Sequence, residues 1–175
     1  MELFSKDIVA YFSINQIAKL IGKTYPYVNK RVGYLIEEGI LKKNVVGASH
    51  LCSVNFSNDK AIVLLSLVEI EKRDRFWNTR QELQKAFELI VKDNEERVFH
   101  CVLMHKKQLI FVVDDSKCKV KIEGYDTKCV DKPGFKKLLL EGAILQDHTI
   151  ISGFERYFEF IRGVERELKL KSIPL

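Results

Sequence analysis

The stretch GKTYPYVNKRVGYLIEEGILKK, residues 22–43, decides how the rest of the chain is read. Val28, Val32, Leu35 and Ile36 fall on one stripe of a helix, and Gly22 and Gly39 punctuate its two ends. Thr24 is a residue type that caps helix N-termini, and Pro26 sits in the first turn, where a missing amide proton costs nothing. The pattern predicts a helix over 24–38. Around that stripe the outward positions are Tyr25, Tyr27, Asn29, Lys30 and Arg31, with Tyr34 one turn later. Lys19, Lys23, Lys30 and Arg31 are the only charged residues between 19 and 31, so no acidic group tempers this surface. These are side chains suited to a polyanion. Arg and Lys reach guanine edges or phosphates, Asn pairs with adenine, tyrosine hydroxyls donate to phosphate, and a helix N-terminus itself favours an anion.

Working outward, Ser13 offers an N-cap for INQIAKLIG, whose Ile14, Ile17, Ala18 and Ile21 follow i, i+3, i+4, i+7. A shorter helix is expected over 6–12. Two helices joined by a tight glycine-containing turn make a helix-turn-helix. Downstream, ILKKNVV and HLCSVNF read as two strands around GAS, a hairpin over 40–56 that adds Lys42 and Lys43. The pattern Val28-x-x-x-Val32-x-x-Leu35-x-x-x-Gly39-Ile40, followed by this wing, resembles the winged helix-turn-helix of prokaryotic, and particularly archaeal, transcription regulators. The resemblance covers about the first third of the chain and is shared by several regulator families. It implies double-stranded DNA as the partner, with the helix at 24–38 in the major groove and the wing on the backbone. The candidate contacts are then Lys23, Thr24, Tyr25, Tyr27, Asn29, Lys30, Arg31, Tyr34, Lys42 and Lys43. A homodimer is expected, because one small reading head covers few base pairs. Protein contact through the same face, or RNA, are the competing partners.

Past residue 58 the character changes. KAIVLLSLVEIEKRDRFW is apolar almost all round at first: Ala61, Leu64, Leu65 and Val68 bury one face while Ile62, Val63 and Leu67 need another surface. That segment, 61–70, would carry an adaptor function if the chain were an interaction module. The next helix places Leu83, Phe87, Ile90 and Val91 on one stripe. VFHCVLM, QLIFVVD, KVKIEG and DTKCVD read as short strands in a meander, and two helices follow, the last with Phe154, Tyr157, Phe158, Ile161, Val164 and Leu168 on one face. The aromatic stripe is core or dimer surface. The expected class is α+β: a winged helix-turn-helix over 1–57, packing helices over 58–97, and a small mainly antiparallel sheet flanked by helices over 98–175.

The C-terminal succession of helix, strands and helices loosely resembles the nucleotidyltransferase-like domain that some archaeal winged-helix proteins carry. The resemblance would imply transfer chemistry at Asp114, Asp115 and Asp126. The chain departs from that pattern, because HKKQ stands where a Gly-Ser cradles phosphate and the two aspartates are adjacent, facing opposite ways on a strand. An inactive relative is therefore expected. The four cysteines form no metal spacing; a hairpin turning at Glu123-Gly124 would set Cys118 opposite Cys129, but in a reducing cytosol free thiols are expected. The four histidines are scattered, no P-loop or Gly-x-Ser-x-Gly occurs, and no cofactor or metal is expected. A net charge of +5 and pI of about 8.9 permit nucleic-acid contact. Neither a signal sequence nor a membrane-spanning run is present, so a cytoplasmic location is expected.

Overall fold

A computed structural model describes residues 1–46, 49–93, 99–115, 118–142 and 144–172. In chain order they form α1 (Glu2–Lys6), β1 (Phe12–Ser13), α2 (Ile14–Ile21), α3 (Tyr25–Glu37), β2 (Leu41–Val46), β3 (Ser49–Val54), α4 (Asp59–Asn78) and α5 (Gln81–Asp93). Then come β4 (Cys101–His105), β5 (Gln108–Val112), β6 (Asp126–Val130), α6 (Lys132–Leu140), β7 (His148–Ser152) and α7 (Phe154–Ser172). The class is α+β, as expected.

Local chemistry accounts for the first third. Ser13 opens α2 with a capping box: its hydroxyl accepts from the Gln16 amide at 3.2 Å while the Gln16 side chain accepts from the Ser13 amide at 2.8 Å. Gly22 closes that helix in the left-handed region at φ 64°. Thr24 holds the extended backbone of an N-cap for α3, though its side chain makes no capping hydrogen bond. Val28 and Val32 are buried, and Leu35 and Ile36 pack partly against the same core. β1, β3 and β2 then form an antiparallel sheet in that order, which sets the wing directly after α3. The turn residues 47 and 48 lie outside the described residues.

The helix expected over 6–12 is not there. α1 ends at Lys6, and Phe12 pairs with Cys52 across β1 and β3. The cap explains the displacement, because Ser13 holds α2 from extended backbone (ψ 156°), which a preceding helix would not deliver.

Asparagines tie α3 and the strand that follows it to α4. Asn58 caps α4, accepting from the Lys60 amide at 2.9 Å, and donates to the Glu38 carbonyl at 3.0 Å. Asn55 donates to the Gly39 carbonyl at 2.7 Å. One residue, Asn58, thus serves two helix ends. Asn58→Ala is expected to cost about 1–2 kcal/mol, the range for a lost helix cap, measurable as a lower urea midpoint with an unchanged m-value.

The second sheet has the order β6-β5-β4-β7, and its two faces are separately covered. Cys101, Leu103, Ile110, Val112 and Ile150 face a core shared with Leu65 of α4, Phe135 and Leu139 of α6, and Tyr157, Phe158 and Ile161 of α7. That same cluster continues without interruption to Val28, Val32 and Phe4. Val102, Met104, Leu109, Phe111 and Ile151 face Trp77 at the end of α4, and Leu83 and Phe87 of α5. The α7 stripe read from the sequence belongs to the first of these two cores, the one shared with Val28 and Val32. Val91, placed on the inner stripe of α5, lies exposed, as do Val63 and Leu67 on α4.

Three expectations are corrected here. KVKIEG is no strand: Ile122 makes one isolated bridge to Tyr125 and is buried with Val120 beside it on the α5 side of the sheet. β6 instead runs parallel to β5, with Gln108 opposite Asp126 and Val112 opposite Val130, so the meander fails at this step. A parallel neighbour needs a crossover, and the segment between the strands spends its apolar residues covering the sheet face. With no hairpin, Cys118 and Cys129 are not cross-strand partners. HTIIS, to which the sequence reading assigned no element, is β7 against β4.

Polar groups gather where α4 crosses the end of β4 and β7. His105 and His148 are direct cross-strand partners, and the His148 ring lies 5.3 Å from that of Tyr157. Glu69 is fully buried above them, with Lys72 at 3.5 Å. Among the described residues, the buried side-chain atoms lacking a hydrogen-bond partner are on Ser66, Glu69, His105, His148 and Tyr157, all in this one place.

Candidate nucleic-acid interface

The surface begins at the turn between α2 and α3, where Gly22 releases Lys23 and Thr24 to solvent. Because Val28 and Val32 turn inward, the helical period turns Asn29, Lys30 and Arg31 outward, and all three are exposed. Tyr25, Tyr27 and Tyr34 retain 48, 50 and 57% of their surface, which core packing would have removed. The Arg31 guanidinium lies 5.6 Å from the centre of the Tyr27 ring. That contact orients the guanidinium on an aromatic face while leaving its donors outward. Within α3 no acidic residue occurs before Glu37, at the far end of the helix. Gly33 has open space where a side chain would stand.

The wing divides its two lysines by the period of a strand. Lys43 shares a face with Leu41, which enters the core, and stays exposed at its edge. Lys42 points the other way and meets Glu165 of α7 at 3.4 Å. The structure therefore brings Lys23, Thr24, Tyr25, Tyr27, Asn29, Lys30, Arg31 and Tyr34 onto one helix surface and its preceding turn, with Lys43 on the wing, and sets Lys42 against the C-terminal helix. Leu20 and Ile21 are also exposed, at 60 and 46%, extending an apolar margin beside the turn that the α2 stripe had assigned partly to the core.

The aspartates of the alternative enzymatic reading do not converge. Asp126 stands opposite Gln108 at the start of β5 and takes a hydrogen bond from its side chain, whereas Asp114 follows the end of β5. Six residues of extended chain separate those levels, roughly 20 Å. Among the described residues no three His, Cys, Asp or Glu side chains are grouped as metal ligands. Asp114 instead engages His100 at 2.8 Å and Lys132 at 3.1 Å, an association between sequence-distant residues that no motif announced. No helix among the described residues is long and apolar enough to cross a membrane. Compared with known proteins, the chain matches no protein-family model, no curated protein and no solved structure.

Proposed function

We propose that this protein is a DNA-binding transcriptional regulator that lays α3 in a major groove and its wing along the adjacent backbone. The observation that carries the reading is the outer face of α3: Tyr27, Asn29, Lys30, Arg31 and Tyr34 left in solvent, with Tyr25 exposed at the helix start, on a helix whose inner face is buried. A solvated helix face needs no aromatic rings, and their exposure costs apolar hydration that contact with a groove would recover. Phosphates would take Lys23, Lys43 and the tyrosine hydroxyls, while Lys30, Arg31 and Asn29 would reach base edges.

Two copies are proposed to act together, with their α3 helices about 34 Å apart to meet successive major grooves. The exposed Val63 and Leu67 of α4, 52 and 54% accessible, favour that second copy and also fit the adaptor reading. Sedimentation velocity separates them, since a regulator of this kind sediments as a dimer whereas an adaptor pairs with a different chain.

Fluorescence anisotropy with pooled genomic duplexes tests the main reading. Arg31→Ala is expected to weaken binding by about 1–3 kcal/mol, and log affinity should fall linearly with log salt. Lys43→Ala should weaken all duplexes about equally and reduce the salt slope by about one. Absence of duplex binding, or affinity indifferent to salt, rejects it.

A further inference from the structure

A second site lies far from α3 in sequence, where β5 and β6 both deliver their carboxyl ends. Parallel strands leave a crevice at that edge, and the segments leaving them line it. His100 is fixed there by its amide, which donates to the Val112 carbonyl at 2.8 Å. Asp114 follows β5, and Lys132 begins α6 one residue after its capping Asp131. Gly153 seats the start of α7 against this group: a Cβ at that position would fall 2.1 Å from the His100 carbonyl oxygen. The close approach brings Arg156, Glu159 and Phe160 over the crevice. A cavity of about 350 Å³ results, lined by His100, Lys132, Arg156, Glu159 and Phe160.

Its chemistry is of mixed sign. Lys132 and Arg156 are cations, and Asp114 and Glu159 are carboxylates. His100 Nε2 and Lys132 Nζ both meet the same oxygen of Asp114, which therefore occupies donors that an incoming anion would use. Hydrogen bonds from His100 and then Lys132 hold the Asp114 carboxyl below its usual range, so it stays anionic at neutral pH. Its side chain is 66% exposed, free to give way. Arg156 reaches only the Phe99 carbonyl, at 3.4 Å, and Glu159 has no ion-pair partner among the described residues. Phe160 supplies an apolar wall, its ring 6.5 Å from His100 and 5.2 Å from Phe135.

A purely anionic ligand would meet Glu159 and Asp114, and a purely cationic one would meet Lys132 and Arg156. A ligand carrying both charges a few bonds apart satisfies all of them. We propose that this crevice binds a small zwitterion of the α-amino-acid class, its carboxylate on Lys132 and Arg156, its ammonium on Glu159, and its side chain against Phe160. The volume sits near the lower end for ligand cavities, about 300–1,000 Å³, which suits a molecule of that size.

Isothermal titration calorimetry on the full chain tests the proposal without nucleic acid, so its outcome is independent of the duplex reading. The probes are the standard α-amino acids, the amine lacking the carboxylate and the N-acetyl derivative of any that binds, and inorganic phosphate and a nucleoside monophosphate. At least one amino acid should bind, with both of its half-ligands weaker by about tenfold or more, as loss of a charge-assisted contact implies. Lys132→Ala and Glu159→Gln should each lose a similar factor while thermal unfolding is unchanged. The proposal is overturned if phosphate or the nucleotide binds at least as tightly as every amino acid, if none of the probes binds, or if Glu159→Gln retains full affinity.

Discussion

Acidification from pH 6.5 to 3 is expected to remove about 5 kcal/mol of stability through one side chain, His148. Burial drives its pKa from 6.5 down to about 3, and the nearby Lys72 ammonium pushes in the same direction. A depressed histidine binds fewer protons folded than unfolded, so its contribution is complete above pH 6.5 and disappears as pH falls toward 3. The loss rivals the whole stability of an ordinary domain, about 5–15 kcal/mol. Unfolding in mild acid is the expected result, read as a urea midpoint that collapses between pH 6 and 4. His148→Gln, which cannot become a cation, should flatten that limb.

Glu69 works in the opposite sense at the same place. Burial raises its pKa against the favourable pull of Lys72. A raised carboxyl is fully stabilising below its unfolded pKa and loses that contribution as pH climbs through the folded one. Glu69→Gln should therefore help the protein more at pH 8 than at pH 5. If His148→Gln unfolds along the wild-type pH profile, the burial of that imidazole is not what limits acid stability.

Gly153→Ala is expected to cost about 2–5 kcal/mol. The backbone stands at φ 72°, a left-handed conformation that costs an L-residue about 1–2 kcal/mol. The added methyl would also sit 2.1 Å from the His100 carbonyl oxygen and 2.8 Å from Cys101 Cα, so β4 or α7 must move. Forced repacking of that kind adds about 1–3 kcal/mol. Gly163 is the internal control, since it lies within α7 with open space around it. Gly163→Ala should stabilise by about 0.5–1 kcal/mol, the usual gain on leaving glycine in a helix. Urea denaturation of the two variants should move in opposite directions, and equal effects would show that the contact with His100 carries no strain.

Much of the first third was legible because its signals are local. The Ser13 cap, the left-handed Gly22, the proline in the first turn of α3 and the spacing of Val28 and Val32 each act within one helical turn, and the same spacing dictates which side chains face outward. The candidate surface on α3 follows from that geometry alone. The wing was legible for the same reason, but the ion pair that holds Lys42 was not, because its partner Glu165 lies 123 residues further along.

The C-terminal half shows the other limit. KVKIEG alternates as a strand does, yet alternation records only that one side is buried, and here the buried side covers the α5 face of a sheet instead of extending it. Whether β6 pairs with that segment or with β5 is a choice between backbone partners, and hydrogen bonds between peptide groups carry no side-chain signature. The crevice at His100, Lys132 and Glu159 arises from that choice, since it sits at the carboxyl ends of the paired β5 and β6. Side-chain periodicity determined α3 and the side chains it buries, whereas strand pairing, settled only when the whole core closes, decided which distant charges became neighbours.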